Sequence, residues 1–316
     1  MQALYRFNAF IEKHMIFVAP CCLVLGIVTS TWTSHLSFLV NFLFLELTFE
    51  GSLGTNIRAL RHVAAHPLSL LMVLVLLHII MPLIAFAAGN LLFPGQTEII
   101  TGMVIEALIP AAIVSLTWSS IYHGNAALSL SIVVVDTLLA PFIMPPILKL
   151  FLGSSVTISA GEMIGEMFLL IGVPAVAAMV CNQITHDGAM REWKPRLKPF
   201  SKICMIAIIT INSTKLTPYI LAMTPMRVAV AFVIWGIIFA GFGLSALLAR
   251  ILRCSREDRV SVLFGGGMRN ISAGAVIAVT FFPGEAIFPV MMATLFQQFT
   301  AGLISKILWK RQETGG

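Results

Sequence analysis

The sequence predicts an all-α integral membrane protein, with ten transmembrane helices forming two inverted five-helix repeats. Three observations lead there. Of the 316 residues, 58% are hydrophobic and only 11% charged, at a mean hydropathy of +0.95. That is far more apolar surface than a soluble chain of this length needs. Apolar segments cover 15–33, 35–50, 67–93, 98–121, 126–152, 161–184, 199–218, 226–252, 259–281 and 284–309. At about 1.5 Å per residue, each reaches across or nearly across a hydrocarbon core about 30 Å thick. The third observation is charge. With a cytoplasmic N-terminus, sixteen of the 20 Lys and Arg residues fall on the inner side. Lys149, Lys215 and Arg227 lie at or near outer ends, and Arg269 lies within a segment. This asymmetry follows the positive-inside rule, so both termini are expected in the cytoplasm.

Taken in order, MQALYRFNAFIEKHM lacks a signal-cleavage pattern and reads as a retained interfacial helix. The second segment is short and places Glu46 beside Leu47-Thr48. In the third, His78 stands four residues before Pro82 and reads as a helix-packing histidine. The fourth contains EALIPAAIVSLTWSS, with Pro110 near its centre, where a proline removes a helical hydrogen bond. Ser129, Val133 and Asp136 share one face of the fifth. SSVTISAGEM (154–163) then forms an outer loop, and HDGAMREWKPRLKP (186–199) is a cytoplasmic connector before the seventh. Asn212-Ser213-Thr214 and Lys215 fall near the outer end of that segment. The ninth carries FGGGMRNISAGAV (264–276), where three glycines and Arg269-Asn270 interrupt an apolar run. The tenth follows a turn at Phe282-Pro283-Gly284 and holds Gln297-Gln298, suited to interhelical hydrogen bonding.

Five segments on each side of the outer 153–160 loop force the halves into opposite orientations. Interrupted helices at matching positions of two such halves mark a transporter's binding site. Backbone groups freed there must be satisfied by protein, water, ion or substrate. An arginine at that depth needs a partner, and Asp136 is the leading candidate. Glu46 and Glu106 are further intramembrane acids, either of them a candidate titrating group for proton coupling. Other classes fit poorly. The net charge of +6 reflects topology, which argues against nucleic acid as a partner. Five scattered cysteines show no CxxC pattern, no His cluster suggests zinc, and no HExxH or nucleophile–base motif suggests an enzyme. No metal cofactor is expected.

The chain resembles the bile acid:sodium symporter family of ten-span organic-anion carriers. The likeness is concentrated in LELTFEGS (45–52), SLTWSSIYHGNAALSLSIVVVDTLLAP (115–141) and GGGMRNISAG (265–274). It implies a core domain of spans three to five and eight to ten (67–152 and 226–309), with helices four and nine crossing at their breaks. Spans one, two, six and seven (15–50 and 161–218) would form a panel beside it. Substrate binding is implied for Arg269, Asn270, Ile113, Ser115, Glu46 and Thr48, and an ion-site remnant for Ser115, Ser129, Met268 and Gly265. Asp136, Arg269 and Glu106 would form a charge-pairing or coupling group. Sodium ligands expected from the resemblance are replaced by Leu116, Val133, Gly265, Arg269 and Leu77. The expectation is therefore a carrier of a small to medium organic anion with lost or altered sodium coupling, set in a bacterial inner membrane. A proton-coupled or uncoupled carrier of the same fold is the alternative, as is a non-transporting sensor on this scaffold.

Overall fold

A computed structural model describes residues 6–8, 10–11, 14–54, 67–153, 159–282 and 284–309. Most of the expected N-terminal interfacial helix, Arg58, Arg61, Lys310 and Arg311 lie outside this set, as do most of the 153–160 loop and Pro283. The described chain is helical: α1 Met15–Val28, α2 Ser30–Ser52, α3 Pro67–Leu92, α4 Thr97–Leu108, α5 Val114–Ile121, α6 Ala126–Leu152, α7 Ala160–Ile184, α8 Ala189–Leu221, α9 Pro225–Ile251, α10 Arg256–Gly267, α11 Ile271–Phe281 and α12 Ile287–Trp309. Six of these (α3, α6, α7, α8, α9 and α12) are long and apolar enough to cross a membrane, and a seventh counts if α1 and α2 form one bent span.

Local chemistry explains the irregularities. The bend of 82° between α1 and α2 falls at Thr29. Its hydroxyl donates back to the Leu25 carbonyl at 2.7 Å, a side-chain bond that competes with the helix ladder. Among the described residues, π-helical turns at Leu76–Ile80, Phe168–Gly172 and Ala189–Trp193 each precede a proline by two residues: Pro82, Pro174 and Pro195. A proline offers no N–H to the carbonyl four residues back and crowds it, so the helix widens there. The connector expected at 186–199 is largely helical; within it only 186–187 remain a turn. The widened turn at Ala189–Trp193 accommodates Pro195, so KPRLKP continues the span rather than ending it.

The glycine run also differs from expectation. Gly265-Gly266-Gly267 does not unwind but forms the last turn of α10, and the chain leaves the helix at Met268. Its purpose is close packing. A Cβ on Gly266 would strike Ser245 Oγ of α9, one on Gly267 would enter the Phe242 ring, and one on Gly265 would lie 3.0 Å from Ile132 of α6. Three missing side chains let α10 seat against both neighbours. Outward-facing Phe17, Leu71, Phe142, Leu169 and Phe232 stay exposed, as lipid contact requires.

Candidate functional site

The site is built where two helices stop short. Helix α4 ends at Leu108 and α10 at Gly267, both deep in the protein, and their continuations begin at Val114 and Ile271. The intervening segments meet in a single antiparallel bridge, Ala111 opposite Arg269. Ala112 N–H donates to the Met268 carbonyl at 2.9 Å, and Asn270 N–H donates to the Pro110 carbonyl at 2.8 Å. Each break thus satisfies part of the other's backbone, as buried polar groups require.

The two central N–H groups point away from each other, and each finds a side chain on the span that follows its own break. Asp136 of α6 accepts from Ala111 N–H at 2.6 Å. Gln297 of α12 accepts from Arg269 N–H at 2.7 Å and donates to the Arg269 carbonyl at 2.9 Å. The other Asp136 oxygen accepts from His78 Nε2 at 2.5 Å, with the two side chains 0% and 4% exposed. His78, expected as packing, is therefore the acid's direct partner; its Nδ1 is buried without a hydrogen-bond partner.

Arg269 does not meet Asp136 in a hydrogen bond or ion pair among the described residues, so the expected direct pairing is not formed. The guanidinium is 4% exposed, and both terminal nitrogens lack hydrogen-bond partners. Glu106 and Asp136 act on it only through longer-range electrostatics. Glu106 is itself 1% exposed, with Oε2 unpartnered. A buried donor left unmade costs about 1–3 kcal/mol, and more when charged. This fork is short of an acceptor.

Arg269 lines a cavity of about 280 Å³ together with Asn270, Ile113 and Gln297. The same cavity is lined by Glu50 of α2 and by Lys194, Lys198 and Lys202 of α8. These four charged residues were not singled out from sequence as site residues; Lys194 and Lys198 fell in the supposed connector and Lys202 just past it. Their spacing at i, i+4 and i+8 was the available signal.

The remaining expected residues do not line this cavity. Thr48 shares a small satellite void with Ile113, Asn270 and Pro110. Glu46 accepts from Ser201 of α8 at 2.8 Å, behind the main cavity wall. Ser115 is 1% exposed and its hydroxyl is unpartnered. Ser129 bonds instead to Ser119 at 2.7 Å and Ser261 at 2.8 Å, forming a hydroxyl cluster that ties α5, α6 and α10 together. Ser115 and Ser129 are thus not joined in one hydrogen-bonded set. Gly265 packs on Ile132, and Met268 is fully buried with its carbonyl taken by Ala112.

A family model described as the sodium bile acid symporter family matches residues 42–223, more than half of the chain. The chain belongs to that family. Similarity extends further among relatives. YbaS of Bacillus subtilis, strain 168, an uncharacterized protein, is 38% identical over 294 residues, covering 93% of this chain and 96% of the relative. YocS of the same organism, an uncharacterized sodium-dependent transporter, is 23% identical over 278 residues, covering 87% of this chain and 83% of the relative. The family consists of transporters rather than enzymes, and this member is a multi-pass membrane protein.

Proposed function

We propose that this family member is a secondary active carrier of a small to medium organic anion, working by alternating access, with sodium coupling lost or altered. The observation that carries this is the Arg269 fork, buried on the cavity wall with both terminal nitrogens unpartnered. A carboxylate offers two oxygens in the matching plane, and such charge-assisted pairs are the strong ones. Arg269 also puts a fixed cation where the family resemblance expects an ion ligand.

Ten spans in two inverted repeats account for the backbone pairing at the breaks. Asp136 and Gln297 serve Ala111 and Arg269 in equivalent ways, each from the helix after its own break. Helices of 12 and 8 residues (α4, α5) or 12 and 11 (α10, α11) reach only part of the way across a membrane alone. Joined through their breaks, they become the fourth and ninth spans. Loop contacts agree: Asn125 bonds Asp258 at one end of the molecule. Glu285 N–H bonds Glu98, and Arg227 bonds Glu285, between loops assigned to the other end. On this reading 67–152 and 226–309 form the core, 15–50 and 161–218 the panel, and both termini face the cytoplasm of a bacterial inner membrane.

Proton coupling is a second reading, favoured by the buried His78–Asp136 pair, which joins two titratable groups to the backbone of the crossing. Flux of labelled organic anions in membrane vesicles tests all of this, in sodium, potassium or choline and with or without a pH gradient. Saturable flux that changes only a few-fold between cations and vanishes in Arg269→Gln is expected. A steep, saturable sodium requirement would restore sodium coupling. Absence of flux for every anion would favour the non-transporting scaffold.

A further inference from the structure

Two acids bear electrostatically on the Arg269 guanidinium, and Glu106 acts on it more strongly than Asp136. Asp136 is already committed: one oxygen accepts from Ala111 N–H and the other from His78. Glu106 is not. It is buried, and its Oε2 lacks a hydrogen-bond partner, as do both terminal nitrogens of Arg269. A buried acceptor and a buried donor fork of opposite charge therefore lie within electrostatic reach of one another without meeting. Only the fork lies on the wall of the 280 Å³ cavity, so a solute reaches Glu106 only by way of Arg269. Glu106 stands one turn before Pro110, whose carbonyl accepts from the N–H of Asn270, the residue after Arg269. Both charges are thus fastened to the same crossing. On the reading above both belong to the core, so they travel together. Glu50 also lines the cavity, but it belongs to α2 on the panel side and is coupled to Lys194, Lys202 and Lys198.

We propose that Glu106 is the internal counter-anion of Arg269, taking the guanidinium when the cavity closes without substrate. This rests on the anion-carrier reading above and adds how the same site resets. With the fork on the cavity wall, the structure shows the arrangement that receives a carboxylate. Once loaded, the substrate's own charge cancels that of the arginine. A carrier working by alternating access must also return unloaded if it is to give net flux. A lone buried cation resists that step, because its desolvation is uncompensated. A carboxylate carried in the same body removes the obstacle. Arg269 can reach it by turning about its own side-chain torsions, and Glu106 offers the same planar pair of oxygens as a substrate carboxylate.

The experiment compares two fluxes through the purified full chain in proteoliposomes, with sodium and pH equal on both sides and the voltage clamped by potassium and valinomycin. One-for-one exchange of a labelled anion never requires the unloaded carrier to cross; net efflux does. The probes are lactate, gluconate and succinate. The ratio of net efflux to exchange is taken within each variant, so the amount of folded protein cancels. Wild-type protein should show both fluxes for at least one probe. In Glu106→Gln and Glu106→Ala exchange should persist while the ratio falls about ten-fold or more, since only the unloaded return is slowed. Glu106→Asp, which keeps the charge, should recover part of the ratio. Arg269→Gln should lose both fluxes. An unchanged ratio in the neutral variants would overturn the proposal and leave the anion carrier standing. So would loss of exchange in variants that keep the wild-type thermal midpoint, or a wild-type chain that exchanges without net efflux. Neither flux for any probe in the wild-type chain would overturn the anion-carrier reading, and the proposal with it.

Discussion

At the scale of single residues, the crossing depends on two side chains that act on backbone. Asp136 holds Ala111 N–H and His78 together, and Gln297 holds both backbone groups of Arg269. Removing a partner is worse than never having the pair, because desolvated groups are stranded. Asp136→Leu should cost about 3–5 kcal/mol, the range for breaking a buried pair. Gln297→Leu should cost about 1–3 kcal/mol for each stranded group. A double-mutant cycle on detergent-solubilised protein separates the contacts of Asp136. His78 and Asp136 should couple by about 0.5–3 kcal/mol, while Arg269 and Asp136 should be close to additive. Strong coupling of Arg269 with Asp136 would mean that the guanidinium reaches the acid in solution. None of these contacts was visible as a pair in the sequence. His78 and Asp136 are 58 residues apart, and only the packing of α3 on α6 joins them.

At the scale of elements, α10 is governed by its last turn. Glycine within a helix costs about 1 kcal/mol relative to alanine, so Gly267→Ala should stabilise an isolated helix. Here the added Cβ would sit 2.6 Å from Cε1 of the fully buried Phe242 ring. Overpacking of this kind costs about 1–3 kcal/mol and wins over propensity. Gly267→Ala should therefore lower the thermal midpoint, and Phe242→Leu in the same chain should recover part of the loss. A higher midpoint in the single variant would show that α9 and α10 are less closely seated. Sequence located the interruption of this span within three residues and misassigned its cause. Glycine's backbone freedom and its lack of volume leave the same letter in a sequence, and only the neighbours on α6 and α9 distinguish them.

At the scale of the whole molecule, two ends can be told apart by their loop contacts. The pairing of Asn125 with Asp258 gathers one set of loops, and that of Arg227 with Glu285 gathers the other. On the proposed topology, charge asymmetry puts the first set on the cytoplasmic side. Single cysteines at Asp187 and Ser159, in a background lacking the five native cysteines, should react with a membrane-impermeant reagent from opposite sides. Asp187 is expected to label only from the cytoplasmic side and Ser159 only from the outside. Labelling of both from one side would remove the inverted arrangement.

Composition, apolar segmentation and the position of Pro110 are properties of the chain alone, and they determined an all-helical membrane protein with a break near the middle of its fourth segment. These features are legible because hydrocarbon leaves a chain few alternatives: backbone bonds must close locally, and charge is excluded along long runs. Tertiary structure alone decided the rest. It paired Ala111 with Arg269, gave Asp136 to His78 rather than to the arginine, and turned a supposed connector into a helix whose lysines face the cavity. Each of these depends on which helix faces touch, and residues such as Lys198 and Arg269, 71 positions apart, become neighbours of one cavity only after the helices have packed.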